Sequence, residues 1–197
     1  APGPVPEGGE IGCLADIAEH PGRTVKPVDM AGNTPYVGLE HMPQKSIALT
    51  DWGEMGSVKS NKHAFFRGEF LFGKLRPYFH KVGIAPIDGV CSTDIVVLKP
   101  KMPSWAGFVL GHISSREFVD HTTASSTGTR MPRTNWKDMG RYRITLPPVG
   151  IARAYSKLTE PMRAVILAAI HESRVLAGLR DTLLPKLISG ELRVSQA

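Results

Sequence analysis

The chain has 197 residues, 42% of them apolar and 21% charged, with a formal net charge of +6 and a pI near 9.5. Such a length and composition support one or two folded domains with a real core and exclude a disordered tail, and no apolar run approaches the roughly 20 residues of a membrane span. The positive surplus points to a polyanionic partner or an acidic protein surface, and two distant cysteines, Cys13 and Cys91, with no signal peptide ahead of them, read as reduced thiols in the cytoplasm.

Residues 1–8, Ala-Pro-Gly-Pro-Val-Pro-Glu-Gly, are turn and breaker residues and read as a flexible N-terminal tail. Residues 9–148 read as a mixed α/β domain. Phe70-Leu71-Phe72 and Ile95-Val96-Val97-Leu98 are short apolar runs bounded by turn residues, which suit buried strands. Pro86-Ile87-Asp88-Gly89 marks a turn before the second run. The spacing of Trp105, Phe108, Val109, His112 and Ile113 predicts a helix from Ser104 to Asp120, with Ser104 as its N-cap. Arg141 to Leu146 alternates as a strand does and ends at Pro147-Pro148.

Beyond Pro148 the period changes. Ile151, Tyr155, Leu158, Met162, Val165, Ala169, Leu176, Leu179 and Leu183 step by threes and fours with only Glu172 off the pattern. This heptad-like seam predicts a long helix over residues 149–185, about 50 Å in length, followed by a C-terminal tail over 186–197. Pro161 is expected to kink or divide it and Pro185 to stop it. A domain of this size cannot cover the whole seam, so Leu158, Met162, Val165, Leu176, Leu179 and Leu183 are expected to meet a partner helix. The competing reading packs the helix entirely on its own domain.

Charge is concentrated in two stretches. Lys59, Lys62, Arg67, Lys74, Arg76 and Lys81 face only Glu69 between residues 59 and 81. The second stretch, Ser125-Ser126-Thr127-Gly128-Thr129-Arg130-Met131-Pro132-Arg133-Thr134-Asn135-Trp136, continues its charge through Lys137, Arg141 and Arg143 against Asp138 alone. Hydroxyls, amides and guanidiniums are the groups that bond phosphates and base edges. A solvated, turn-rich loop with Trp136 in the core fits the same residues. One electrostatic footprint forms if the fold brings the two stretches together.

Catalytic signals are weak. Gly68-Glu69-Phe70-Leu71-Phe72-Gly73-Lys74-Leu75 has a P-loop outline, but Leu75 stands where Ser or Thr must reach magnesium, and bulky apolar residues replace the free amides. Seven histidines show no metal-ligand spacing with either cysteine. Asp94 after Ser92-Thr93 reads as an acceptor of backbone hydrogen bonds at a strand entrance. No Asn-Pro-Pro-aromatic motif and no G-x-G-x-x-G loop is present.

Four segments in order resemble the specificity subunit of type I restriction–modification systems. They are Leu71 to Val82, Cys91 to Leu98, the Gly128-Thr129-Arg130-Met131-Pro132-Arg133-Thr134-Asn135-Trp136 run, and Leu183-Leu184-Pro185-Lys186-Leu187-Ile188-Ser189-Gly190-Glu191-Leu192. The likeness extends from about Pro6 to Val194. It implies a non-catalytic target recognition domain over 9–148 that binds double-stranded DNA, and a spacer helix that pairs in an antiparallel coiled coil. Most members of that family carry two such domains and two helices, and this chain resembles half of that arrangement, as a natural half-length subunit or an excised C-terminal half.

The resemblance further implies a methyltransferase subunit docked on the helices, which alone would bind S-adenosylmethionine, and a restriction subunit joining the complex. On this reading Arg130, Arg133 and Asn135 lie near DNA, Lys59, Lys62, Lys74 and Arg76 contact phosphate, and a homodimer would read an interrupted palindrome. Pro43 to Lys62 holds further candidate base readers. The alternatives are a helical assembly scaffold with a merely solvated basic face, and an orphan half-subunit that modulates a full-length one through mixed dimers.

Overall fold

The computed structural model describes residue 5, residues 7–56 and residues 60–192. Its organisation follows from two central strands that are buried on both faces. β7 (Phe70–Gly73) and β10 (Ile95–Pro100) pair antiparallel, with Phe72 opposite Val96 and Phe70 opposite Leu98. Successive side chains of a strand point to opposite faces. Phe70, Phe72, Val96 and Leu98 therefore enter one core, and Leu71, Ile95 and Val97 enter another. Continuous apolar runs are what a strand needs when neither face meets water.

β2 (Ala18–Glu19) and β8 (Val82–Ile84) complete this four-stranded sheet in the order β2-β10-β7-β8. The first core is filled by α1 (Leu14–Ile17), α2 (Ala106–Ile113), α3 (Arg116–Ala124) and α4 (Trp136–Gly140). The second lies against a five-stranded sheet of β3 (Thr24–Val25), β4 (Pro35–Val37), β5 (Gly53–Glu54), β6 (Lys62–Phe65) and β9 (Gly89–Cys91), in the order β3-β6-β9-β4-β5. A ribbon of β1 (Glu10–Cys13) and β11 (Arg143–Leu146), paired from Glu10 with Leu146 to Cys13 with Arg143, joins the two ends of the domain.

The predicted helix from Ser104 to Asp120 is two helices. Ser104 lies in a 3-10 turn, Pro103–Trp105, and does not cap α2. The break falls at Ser114 and Ser115, where the Ser115 hydroxyl accepts the Phe118 N–H at 3.2 Å and starts α3. A serine that offers the backbone an alternative partner favours a helix start over a helix interior.

α5 (Val149–Ile188) is one 40-residue helix, about 60 Å long. It continues through Pro161 without dividing, and Pro185 lies inside it rather than at its end. Both prolines are exposed, so the carbonyls they leave unpaired can turn to water. The helix ends three residues beyond the expected Pro185. Ser189 is its C-cap and Gly190 follows at φ 76°, with the Gly190 N–H on the Leu187 carbonyl and the Leu192 N–H on the Lys186 carbonyl. A left-handed glycine that lets the last carbonyls be satisfied is a chain stop in its own right.

Two stripes run along α5. Ala152, Ser156 and Ile170 are buried, and Thr159, Arg163, Leu167 and His171 are partly buried. At the crossing, the Ser156 hydroxyl accepts the Gly107 N–H at 3.1 Å and donates to the Ser104 carbonyl at 2.8 Å, and any side chain at Gly107 would collide with Thr159. Farther along, His171 Nε2 reaches the Pro86 carbonyl at 2.9 Å, and the Arg174 guanidinium stacks 3.7 Å over the Trp52 ring. The apolar seam lies one residue, about 100°, around the helix from this stripe. Leu158, Met162, Val165, Leu176, Leu179 and Leu183 are all exposed, from 42% at Leu183 to 67% at Val165. Packing of that seam on its own domain, the competing expectation, is overturned.

Candidate nucleic-acid interface

The fold joins the two basic stretches. Lys74-Leu75-Arg76 leaves the end of β7, and the loop after α3 folds back beside it as a small hairpin. Thr127 and Arg133 exchange backbone hydrogen bonds of 3.0 and 2.9 Å around the left-handed Gly128. Arg133 also bridges to Leu75, the Thr134 N–H donates to the Lys74 carbonyl at 3.0 Å, and the Arg76 N–H donates to the Pro132 carbonyl at 2.8 Å. Arg76 Nη2 reaches the Arg130 carbonyl at 3.4 Å. The segments carrying Lys74, Arg76, Arg130 and Arg133 are thus laced together, with Arg130 and Arg133 exposed and Lys74 and Arg76 half-buried, which neither stretch of sequence establishes alone.

Their side chains differ in what they can do. Arg130 is exposed, and among the described residues Lys74, Arg76 and Arg130 have no carboxylate partner. Arg133 donates from Nε to the Asp94 carboxylate at 3.0 Å, and that hydrogen bond raises its already high pKa. Asp94 therefore holds an arginine with its carboxylate instead of collecting backbone N–H groups. Its own N–H donates to the Ser92 hydroxyl at 3.2 Å.

Asn135 is the N-cap of α4. Its Oδ1 accepts the Asp138 N–H at 3.0 Å and its Nδ2 donates to the Asp138 carboxylate at 2.6 Å. Asn135 therefore stands at a helix start, exposed, rather than in a free loop.

Lys62 is also placed differently from expectation. It is 5% exposed, its ammonium donates to the Ser60 hydroxyl at 2.6 Å and to the Ser60 carbonyl at 3.2 Å, and it lies 5.8 Å from the centre of the Tyr36 ring. A buried amine already surrounded by oxygens does not present itself to phosphate. Lys59, the remaining expected contact, lies outside the described residues.

The backbone conformation beside this surface was not legible in the sequence. Lys45, Arg76 and His80 are the non-glycine residues of positive φ among those described, at 54°, 50° and 53°. They adjoin one another: the Lys45 N–H donates to the His80 carbonyl at 2.9 Å, and Arg76 and His80 bracket a 3-10 turn, Pro77–Phe79. Left-handed backbone at residues bearing side chains costs on the order of 1–2 kcal/mol each and gathers at functional sites. Between them Tyr78 and Phe79 are exposed. A cleft of about 450 Å³ on one side is lined by Lys45, Tyr78, His80 and Val119 with the Arg116–Asp120 ion pair, and one of about 220 Å³ on the other by Leu39, Leu75, Arg76, Phe79, Lys81 and Met131. The signal was present as aromatics interleaved with cations in Arg76-Pro77-Tyr78-Phe79-His80-Lys81.

The P-loop outline resolves into structure. Phe70–Gly73 is a strand, and Glu69 takes a two-bond ion pair with Arg23 at 2.8 and 2.9 Å while accepting the Phe66 N–H. Burial lowers the pKa of His63, aided by His20 and Lys74, and burial lowers that of His112. Among the described residues no group of three or more His, Cys, Asp or Glu is placed to hold a metal ion, and no helix is long and apolar enough to cross a membrane.

No protein-family model matches the chain. Among curated proteins it is 33% identical over 138 residues to the EcoDI type I restriction enzyme specificity subunit of Escherichia coli, covering 69% of this chain and 30% of that one. It is 24% identical to the MjaIX specificity subunit of Methanocaldococcus jannaschii across 98% of its own length and 46% of the relative. The HsdS subunit of Thermoanaerobacter tengcongensis shares its fold with a TM-score of 0.67 at 19% identity, over 95% of this chain and 49% of that one.

The chain belongs to the type I specificity subunits. A chain in a structure of type I R-M complex assembly shares the fold, with a TM-score of 0.66 at 21% identity over 96% of this chain and 50% of the other. This specificity-subunit chain spans 30% and 46% of the length of its two curated relatives and about half of the solved structures.

Proposed function

We propose that this chain reads one half of a bipartite DNA target and docks a methyltransferase subunit, performing no chemistry itself. The observation that carries the reading is the lacing of Lys74-Leu75-Arg76 to the Arg130 hairpin, which makes one cationic face from two separated stretches. Lys74, Arg76 and Arg130 contact phosphates and set the register of the domain, joined by Lys45 from the adjoining cleft. Arginine pairing with guanine through two hydrogen bonds is the strongest base readout open to this surface.

α5 supplies the spacing. Its exposed seam pairs antiparallel with the same seam of a second copy, forming a coiled coil that holds two reading domains apart. A two-fold axis between identical readers makes the target an interrupted palindrome. The methyltransferase subunit, which carries S-adenosylmethionine, and through it the restriction subunit, complete the assembly in the cytoplasm.

Selection from a randomised duplex library, with and without a type I methyltransferase subunit, tests this function. A split palindrome is the expected product, and its spacer measures the helix pair. A single uninterrupted half-site would make the chain half of a larger reader. No enrichment from folded protein would reduce it to a helical scaffold.

A further inference from the structure

We infer that Tyr78 and Phe79 form a rigid aromatic wedge that enters the bound duplex and unstacks one base step. The inference rests on the DNA-reading function proposed above and adds a mode of recognition to it. Neither aromatic belongs to a core: Tyr78 is 49% and Phe79 37% exposed, with ring centres 4.9 Å apart. Each ring rests partly on the fold, Tyr78 beside Val119 and Phe79 beside Leu39, Leu75 and Met131, and keeps the rest of its surface in water.

The turn that carries the rings is tied to the rest of the fold at both ends. Arg76 N–H holds the Pro132 carbonyl, His80 Nε2 reaches the Ser114 carbonyl at 2.9 Å, and the His80 carbonyl accepts the Lys45 N–H. Pro77 fixes its own φ at the first position of the turn. Left-handed residues on each side, Arg76 and His80, bound the turn, which packs against α3 and leaves both rings partly exposed. Holding both in that region opposes folding, and the tethers maintain it.

Lys45 lines the cleft on one side of the rings and Arg76 and Lys81 the cleft on the other, and Lys74 and Arg130 belong to the segments laced beside them. Cations on each side would engage phosphates of the two strands, which brings the rings against the base stack between them. Apolar side chains in that position partly unstack a base step and bend the duplex, and the cost of unstacking depends on the step. The wedge therefore contributes specificity at a position that no hydrogen bond reads, and flexible pyrimidine–purine steps are the favoured site.

The test uses the full 197-residue chain on a duplex recovered by selection, with 2-aminopurine placed in turn at each step. Wild-type protein should raise 2-aminopurine fluorescence at one step, and Tyr78→Ala with Phe79→Ala should abolish that rise. The double variant should also weaken specific binding about tenfold to a hundredfold while leaving the salt dependence of binding unchanged. Tyr78→Trp with Phe79→Trp should restore the fluorescence, which separates a wedge from a merely structural turn. A wild-type complex with no unstacked step, or a signal that survives the alanine pair, overturns the wedge and leaves DNA reading intact. Failure of the wild-type chain to bind any duplex overturns the reading and the wedge together.

Discussion

The sharpest prediction concerns the salt dependence of DNA binding. Each phosphate neutralised by a protein cation contributes about −0.9 to the slope of log K against log salt on B-form DNA. Lys74 and Arg130 stand on the laced surface without a carboxylate partner among the described residues, so Lys74→Ala with Arg130→Ala should flatten the slope by about 1.8. Between 50 and 200 mM salt that difference shrinks the gap between wild type and variant roughly twelvefold. The pair Asp94→Ala and Arg133→Ala is the internal control. It removes a cation already engaged with a carboxylate at 3.0 Å, so the net charge of the face is unchanged and so should be the slope. Fluorescence anisotropy of a labelled 30-base-pair duplex, titrated across that salt range, reads both. An unchanged slope in the first variant, with circular dichroism matching wild type, would refute the assignment of this face to DNA. A slope flattened in the second would show that Arg133 reaches phosphate despite Asp94.

Other expectations concern the helix and the core. Leu176→Asp with Leu179→Asp introduces charge where two helices would bury four leucines, worth about 6–12 kcal/mol at about 1.5–3 kcal/mol each; sedimentation should find a folded monomer, and a wild-type monomer at tens of micromolar would end the pairing proposal. Ser156→Ala strips the Gly107 N–H of its acceptor at the helix crossing and should cost about 1–3 kcal/mol in urea unfolding. Arg174→Ala removes the guanidinium stacked on Trp52 and should cost about 0.5–1 kcal/mol, with a change in Trp52 emission as the local readout. Cys91 is buried and its thiol is pushed from the ordinary 9.0 up to about 12, chiefly by loss of hydration. The fold therefore favours its protonated form: that contribution is intact below about pH 9 and lost as pH rises toward 12. At pH 8 a thiolate-directed reagent should spare Cys91 in the native protein and modify it on unfolding.

Much of the architecture was legible locally. Phe70-Leu71-Phe72 and Ile95 to Leu98 announced strands because burial on both faces leaves no place for a polar residue, and both are central strands. The seam from Ile151 to Leu183 announced a long helix because an unpartnered apolar stripe keeps a strict period. The stripe that docks α5 on its own domain was silent, since Ala152, Ser156 and Thr159 serve there by being small and by bonding Gly107 and Ser104. Proline at 185 misplaced the helix end, because an exposed proline removes one N–H while Gly190 changes the chain's direction.

The site divides the same way. The chemical inventory is local: two cationic stretches and a long helix with one apolar seam. Tertiary structure decided which members of that inventory face outward together. Lys62 turned inward to Ser60, Asn135 caps α4 and Arg133 pairs with Asp94, while Lys45 joined from elsewhere in the chain. The cause is the range of the interactions. Helix and strand periods act over a few residues and are written in local spacing, whereas a cation's availability depends on a carboxylate or carbonyl that chain topology brings to it, 39 residues away for Arg133 and Asp94.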